Sequence, residues 1–304
     1  MTAVEARVEA QAKLNLFLRV LAREDSGYHQ IETLFCRIAL ADSVMVRTSS
    51  SGRTLDFHGD RLPPGGLGPI EKNLAWRAAT AYADATGFPA GFEIAIEKRI
   101  PVGGGLGGGS ADAGAVLRAI NALNPLPLDS ISLLMIAEDL GADVPFLTQD
   151  RAVLAIGRGY GEQLEFLPSL PPRAVWLLIP EVAVGTAEAY QWLDEAGRAG
   201  GAHAIVLTDA LSWRAIAEAA SNDFEPVVGA RVPLIGRLLS NLRESGVRER
   251  LGDDAIVLMS GSGSTVAVVA GPPPEHGLAL GPVPGIGIVQ TETSEFVEPV
   301  VLTH

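Results

Sequence analysis

The chain has 304 residues, 47% hydrophobic and 19% charged, enough for a sizeable core in one large or two ordinary domains, and bulk disorder is excluded. Its formal net charge of −13 repels phosphate backbones and anionic lipid, so neither nucleic acid nor a membrane surface is an expected partner. A lone cysteine, Cys36, allows no internal disulfide and fits a reducing, cytoplasmic setting, and the five histidines show no zinc-like spacing.

The start of the chain lacks a basic stretch followed by an apolar core, so no signal peptide is expected. "VEAQAKLNLFLRVL" (residues 8–21) alternates and then turns apolar, like a strand entering a core. "DSGYHQ" reads as a turn, and "IETLFCRIALADSVMVRTS" as further strand. Residues 49–69, rich in Gly, Pro and Ser, read as a surface loop. "NLAWRAATAYADATG" has helical spacing and stops at Gly87, and "GFEIAIEKRIP" alternates as a strand.

"GGGLGGG" (residues 103–109) follows. Beyond it Ala113, Val116, Leu117, Ile120 and Leu123 share one helical face, with Ser110 or Asp112 as the expected cap and Asn124, Pro125 and Pro127 as the stop. "SISLLMIAEDLGADVPFL" (residues 130–147) reads as a further helix, closed by Gly141, and "RAVLAIGRGYGEQLEFL" as a hairpin. "LPSLPPR" (residues 167–173) marks a composition break, which divides the chain into 1–168 and 169–304. The second part holds helical segments near 187–196, 207–220 and 232–244. Its strands are "AVWLLIP", "AIVLMSG", "STVAVVAG" and "GIGIVQTET", an α+β mixture. The charge-free run 255–274 is better explained by two strands around "SGSGST" than by a membrane span.

A strand, a glycine loop and a helix start, in that order, form an anion site. Bare backbone approaches the ligand, and the helix dipole favours negative charge there. Gly103, Gly105 and Gly108 formally satisfy G-x-G-x-x-G, but no acidic residue closes a following strand, so a nicotinamide oxidoreductase is poorly supported. The P-loop and protein-kinase patterns fail, and a flexible linker is the bland alternative. Asp143 stands at an element end, as a structural aspartate or as a base. Lys13 and Asn15 share one strand face, and Lys13 is either an edge lysine or a charge aimed at chemistry. Asn73 before an apolar helix is a typical cap.

"PVGGGLGGGSADA" resembles the second motif of the GHMP kinases. "AKLNLFL", "DSGYHQIETLF", "LGADVPF", "NDFEPV" and "MSGSGSTV" resemble their other motifs in order, over almost the whole chain. The resemblance implies a two-domain α+β fold: an N-terminal ATP-binding α/β domain, a C-terminal α/β sandwich, and the site between them. It implies ATP with Mg²⁺ and, from the doubled glycine motif, a small alcohol bearing a cytidine diphosphate group, whose 2-hydroxyl is phosphorylated in isoprenoid precursor biosynthesis. Asp143 would be the general base and Lys13 its partner. Asn73, Leu74, Lys98, Pro101, Gly103, Gly104, Gly105, Leu106, Gly107, Gly108, Gly109 and Ser110 would hold the nucleotide, with the Ser110 hydroxyl near the metal and Arg99 flanking.

Asn15 would orient the hydroxyl. Tyr28 would stack on the cytosine, His29 read its edge, Tyr190 cover its other face, and Thr186 meet the substrate. "SGSGST" would complete the site from the second half, and "NDFEP" has a structural or capping role. The alternatives are a GHMP kinase for homoserine, a mevalonate-type alcohol or a sugar, and a non-catalytic nucleotide-binding protein. A monomer or weak homodimer is expected. Ala111, Gly114 and Ser264 depart from the family's usual residues, and Gly114 is expected to loosen the phosphate-binding helix.

Overall fold

The computed structural model describes residues 5–197, 211–244, 249–252, 254–271 and 284–303. Two long antiparallel strands, β1 (Glu5–Arg23) and β2 (His29–Ser49), begin the chain, joined by the turn at Gly27. Both strands are mostly buried, continuously so over 10–18 and 31–38, as their apolar runs require. Of three register shifts in β1, two fall between Gln11 and Lys13 and between Asn15 and Phe17, and the third between Val20 and Ala22. Such irregularities re-aim side chains, and the first two bracket Lys13 and Asn15.

β3 (Arg53–His58) runs parallel to β4 (Gly91–Glu97), with α1 (Leu74–Thr86) between them in sequence. The 49–69 segment is therefore not all loop; it supplies an edge strand whose inward side chains are buried Leu55 and half-buried Phe57. α1 is capped by Asn73 and ended by Gly87 at φ 74°. After the glycine loop come α2 (Gly108–Leu123), α3 (Ser130–Glu138) and α4 (Val144–Thr148), then the hairpin β5 (Leu154–Arg158) and β6 (Gln163–Leu167).

One helix expectation is corrected and one helix is added. α2 starts at Gly108 with left-handed Gly107 as its cap and no side-chain cap bond, so neither Ser110 nor Asp112 caps it. The helix expected to close at Gly141 ends at Glu138, and a second short helix follows it. The chain breaks after Glu138 and restarts with Asp143 at the cap and Pro145 in the first turn, where proline's missing N–H costs nothing.

The second sheet is antiparallel, built from β7 (Ala174–Pro180) with β8 (Ile256–Met259), β9 (Val266–Val269) and β10 (Ile286–Glu292), in the order β10-β7-β9-β8. Its helices are α5 (Thr186–Glu195), α6 (Trp213–Ala219), α7 (Glu225–Arg231) and α8 (Pro233–Arg243). The part of the expected 207–220 helix before residue 211 lies outside the described residues, and α7 is an addition. β11 (Val301–Thr303) returns to pair with β1, so by sheet membership it sits with the first half. The expected boundary after residue 168 falls in the link between β6 and β7.

Alternate residues of β7 face two cores. Val175 and Leu177 join the core of the first sheet, while Trp176 and Leu178 join α5, α7 and α8. Leu18, Val20 and Ile31 belong to the second core although they lie on the first sheet. One cleft opens between these halves, and a second opens beside it on the first half.

Candidate active site

The glycine loop leaves β4 through Lys98, Arg99 and Ile100 and enters α2. Gly103, Gly105 and Gly107 take φ of 76°, 76° and 73°, which favours glycine. Several glycines are also demanded by packing. A Cβ on Gly104 would stand 2.6 Å from Thr265 Oγ1, and one on Gly105 would stand 2.1 Å from the Ser260 carbonyl oxygen. The Ser260 hydroxyl donates to the Gly105 carbonyl at 2.9 Å, and the Thr265 N–H to the Gly104 carbonyl at 3.3 Å. "SGSGST" thus docks onto the loop from the second half. Gly109 is different: it is exposed, and the atom nearest its Cβ position is Leu74 Cδ1, at 3.8 Å.

A cavity of about 360 Å³ holds all twelve expected nucleotide-binding residues: Asn73, Leu74, Lys98, Pro101, the run Gly103 to Gly109, and Ser110. The first N–H groups of α2 have no partner within a helix and lie at this wall. Asn73 Oδ1 accepts from the Ala75 N–H at 2.9 Å, so its amide group keeps its donors.

Lys98 forms the wall differently from the expectation. It is buried, and its ammonium is shared between Asp42 and, at 2.6 Å, Asp112. Asp42 Oδ1 accepts from the backbone N–H groups of Arg99 at 2.5 Å and Ile100 at 2.8 Å. The three side chains clamp both ends of the glycine loop. Burial pushes the Asp112 carboxyl up to about 8, with Lys98 opposing. Burial pulls the Lys98 ammonium down, but its two carboxylates outweigh that and leave it raised. Arg99 turns outward to Glu9 and Glu97 rather than to the cavity. Asp42 was not singled out from the sequence and Asp112 was read as a cap; the only signal was an aspartate among the small residues that open α2.

A larger cavity of about 1050 Å³ holds Lys13, Asn15, Tyr28, His29, Asp143, Thr186 and Tyr190, all the expected catalytic and acceptor-binding residues. It shares Gly105, Gly107 and Ser110 with the smaller one. Lys13 is buried, with Nζ 3.2 Å from Asp143 Oδ2 and 2.6 Å from Asn15 Oδ1. Asn15 Nδ2 donates to Thr33 Oγ1 at 2.8 Å, which donates to the Phe17 carbonyl at 2.7 Å. The backbone N–H of Lys13 donates to the Leu106 carbonyl at 3.0 Å. A carboxylate, an ammonium and an amide are thereby fixed beside the glycine loop.

The short α4 that carries Asp143 is held from behind. Fully buried Arg37 donates to the carbonyls of Phe146 at 2.6 Å and Gln149 at 2.9 Å.

At the far end of the cavity Tyr28 is 67% exposed and rests against Tyr160, ring centroids 5.4 Å apart. Tyr190 stacks on the His29 ring at 4.7 Å and meets Phe224 edge-on. Burial, with the Asp143 charge, pushes its phenol up to about 12. The Thr186 hydroxyl lies 3.2 Å from Ser262 Oγ. Asp194, Tyr160 and Thr33 went unnoticed in the sequence because nothing local sets them apart from other polar residues; only the fold brings them together, while Ser262 belongs to the "SGSGST" turn already singled out. No helix among the described residues is long and apolar enough to cross a membrane.

Residues 73–150 match the GHMP kinases N terminal domain. A 4-diphosphocytidyl-2-C-methyl-D-erythritol kinase of Citrifermentans bemidjiense is 38% identical over 262 residues, covering 84% of this chain and 86% of the relative. One of Thermus thermophilus is 40% identical over 278 residues, covering 90% and 87%. A crystal structure of 4-(cytidine 5'-diphospho)-2C-methyl-D-erythritol kinase superposes with a TM-score of 0.67 at 37% identity, covering 87% of this chain and 90% of that one. The homoserine kinase of Cytophaga hutchinsonii, at 18% identity and a TM-score of 0.65, covers 100% and 98% and shares the fold. With this two-sheet α+β architecture and relatives matched across most of their length, the chain belongs to the 4-diphosphocytidyl-2-C-methyl-D-erythritol kinase family of the GHMP kinases.

Proposed function

We propose that the chain transfers the γ-phosphoryl group of ATP to the 2-hydroxyl of 4-diphosphocytidyl-2-C-methyl-D-erythritol, giving the 2-phosphate and ADP. The observation that carries this reading is the shared wall. A nucleotide-sized cavity and an acceptor-sized cavity meet at Gly105, Gly107 and Ser110, with Lys13 and Asp143 on the acceptor side.

The acceptor oxygen bonds to the γ-phosphorus as the bond from that phosphorus to the β–γ bridging oxygen breaks. ADP leaves with that electron pair, and the hydroxyl proton passes to Asp143. Lys13 holds Asp143 in place and stabilises the oxygen as its charge builds, and Asn15 fixes the ammonium. The amides at the start of α2 hold the phosphates in line. The nucleotide lies on the residues of the first half, and the acceptor lies between His29, Tyr28 and the α5 residues Thr186 and Tyr190.

Mg²⁺ fits as an ion held chiefly by phosphate and water. No cluster of three or more His, Cys, Asp or Glu suited to a metal stands among the described residues, and Ser110 presents a hydroxyl at the shared wall. When bound, it offsets the phosphate charge.

The test is phosphoryl transfer from ATP to the cytidine-bearing alcohol, with homoserine and mevalonate as competing acceptors and Asp143→Asn as control. Transfer to the cytidine substrate alone, lost in the variant, is expected. Absence of transfer by the wild type overturns the proposal.

A further inference from the structure

His29 opens β2 and is buried, and its imidazole is fixed on two sides. Nε2 lies 2.7 Å from Asp194 Oδ1, on α5. Tyr190 covers a ring face, its plane inclined 20° to the imidazole. Asp194 is itself oriented, because its second oxygen lies 3.4 Å from Nε of Arg23. A carboxylate offers only lone pairs, so the proton between the two groups belongs on Nε2. In the neutral ring Nδ1 is then a hydrogen-bond acceptor. No described residue engages Nδ1. The imidazole and its carboxylate both line the acceptor cavity.

We infer that Asp194 is a positioning residue that locks His29 as the Nε2–H tautomer, so that the cavity selects a pyrimidine bearing an amino group over one bearing a carbonyl. This deepens the proposed function and rests on it for the base's place near His29. The exocyclic amine of cytosine donates and is matched by Nδ1. The corresponding oxygen of uracil is an acceptor and meets a lone pair. A polar group left unpaired on burial sets a discrimination on the order of 10- to 100-fold. A bond that merely tied β2 to α5 would hold the fold together without favouring either base.

The decisive variant is Asp194→Asn, close to isosteric. Arg23 draws the amide oxygen to its own side, which turns the amide NH₂ toward Nε2 and moves the ring proton to Nδ1. Binding of CDP and of UDP is measured by calorimetry at about pH 8, above the ordinary histidine range. Transfer to cytidine- and uridine-bearing alcohols is measured alongside.

The wild type should prefer cytosine by about 10- to 100-fold, and the variant should lose most of that ratio while KM for ATP is unchanged. In ¹⁵N spectra the His29 signal, assigned by its loss in His29→Gln, should show the proton on Nε2 in the wild type and on Nδ1 in the variant. A wild-type ring protonated on Nδ1 overturns the inference, as does an equal loss for both bases. Should the variant fail to fold, the wild-type tautomer and base ratio decide. Failure of the proposed function looks different: CDP binds over UDP, yet no phosphoryl group is transferred.

Discussion

Gly114 and Leu147 meet backbone to backbone: a Cβ on Gly114 would stand 2.6 Å from the carbonyl carbon and oxygen of Leu147. The glycine that helix propensity marks as a weakness is what lets α2 lie against α4. Gly114→Ala should therefore destabilise the fold by about 1–3 kcal/mol despite alanine's better propensity, because the overpacking outweighs it. Thermal unfolding should show a lower Tm. Because α4 carries Asp143, kcat should fall with it, and an unchanged or raised Tm would contradict the packing argument.

Lys13 packs beneath Gly107, where a Cβ would stand 3.0 Å from Lys13 Cε. Lys13→Met keeps most of that apolar stem and removes the ammonium beside Asp143. The expected outcome is a fall in kcat on the order of 10²–10³, as for the loss of one stabilising donor, with KM for ATP near the wild-type value. A large rise in KM for ATP with kcat preserved would place Lys13 in nucleotide binding instead.

The two ends of the glycine run can be separated. Gly105→Ala drives a Cβ into the Ser260 carbonyl and demands a positive φ, so it should undo the docking of the second half and lower stability. Gly109→Ala meets no such obstacle and should leave stability equal or about 1 kcal/mol higher. If phosphate lies against that amide, Gly109→Ala should still raise KM for ATP. Comparing denaturation midpoints with KM in the two variants shows which glycines serve packing and which serve the ligand.

Asp112 makes stability depend on pH. Its folded-state carboxyl is raised from 3.8 to about 8, chiefly by burial. Below the unfolded value both states hold the proton and the contribution is full. As pH rises from about 4 to about 8 the unfolded chain ionises first, so this part of the stability is lost across that window. Asp112→Asn mimics the protonated form and should gain stability relative to the wild type over the same window, read as the difference in denaturant midpoints. Lys98→Met should be far more harmful, because it leaves Asp42 and Asp112 facing each other without the cation. Adding Asp112→Asn should recover part of that loss.

Periodicity and punctuation made much of the fold legible. α1 runs from its Asn73 cap to Gly87 as the spacing predicts, and the hairpin of β5 and β6 falls where glycines separate two apolar runs. The expected site residues also converge on two adjoining cavities. β3 was hidden because "RTLDFH" is a short edge strand that turns only Leu55 and half-buried Phe57 inward. The end of α3 near Gly141 was legible, but α4 was not, because five residues are too few to show a helical spacing. Lys98 illustrates the wider limit. Its place beside the loop was evident, but the two aspartates that claim its charge come from residues 42 and 112, and local pattern does not reveal such a pairing.

β1 is gripped by both halves of the molecule. Leu18 receives and returns backbone hydrogen bonds with Ser221 and Asp223, and the Val20 N–H donates to the Asp223 carboxylate at 2.8 Å. Asn222 between them ties Met259 and Gly261 into the same knot. A hinge at the acceptor cleft would have to tear this seam, so the enzyme should not clamp its substrates by swinging one lobe onto the other. Entry is left to side chains at the rim such as Tyr28, and small-angle scattering should record no compaction when both ligands bind.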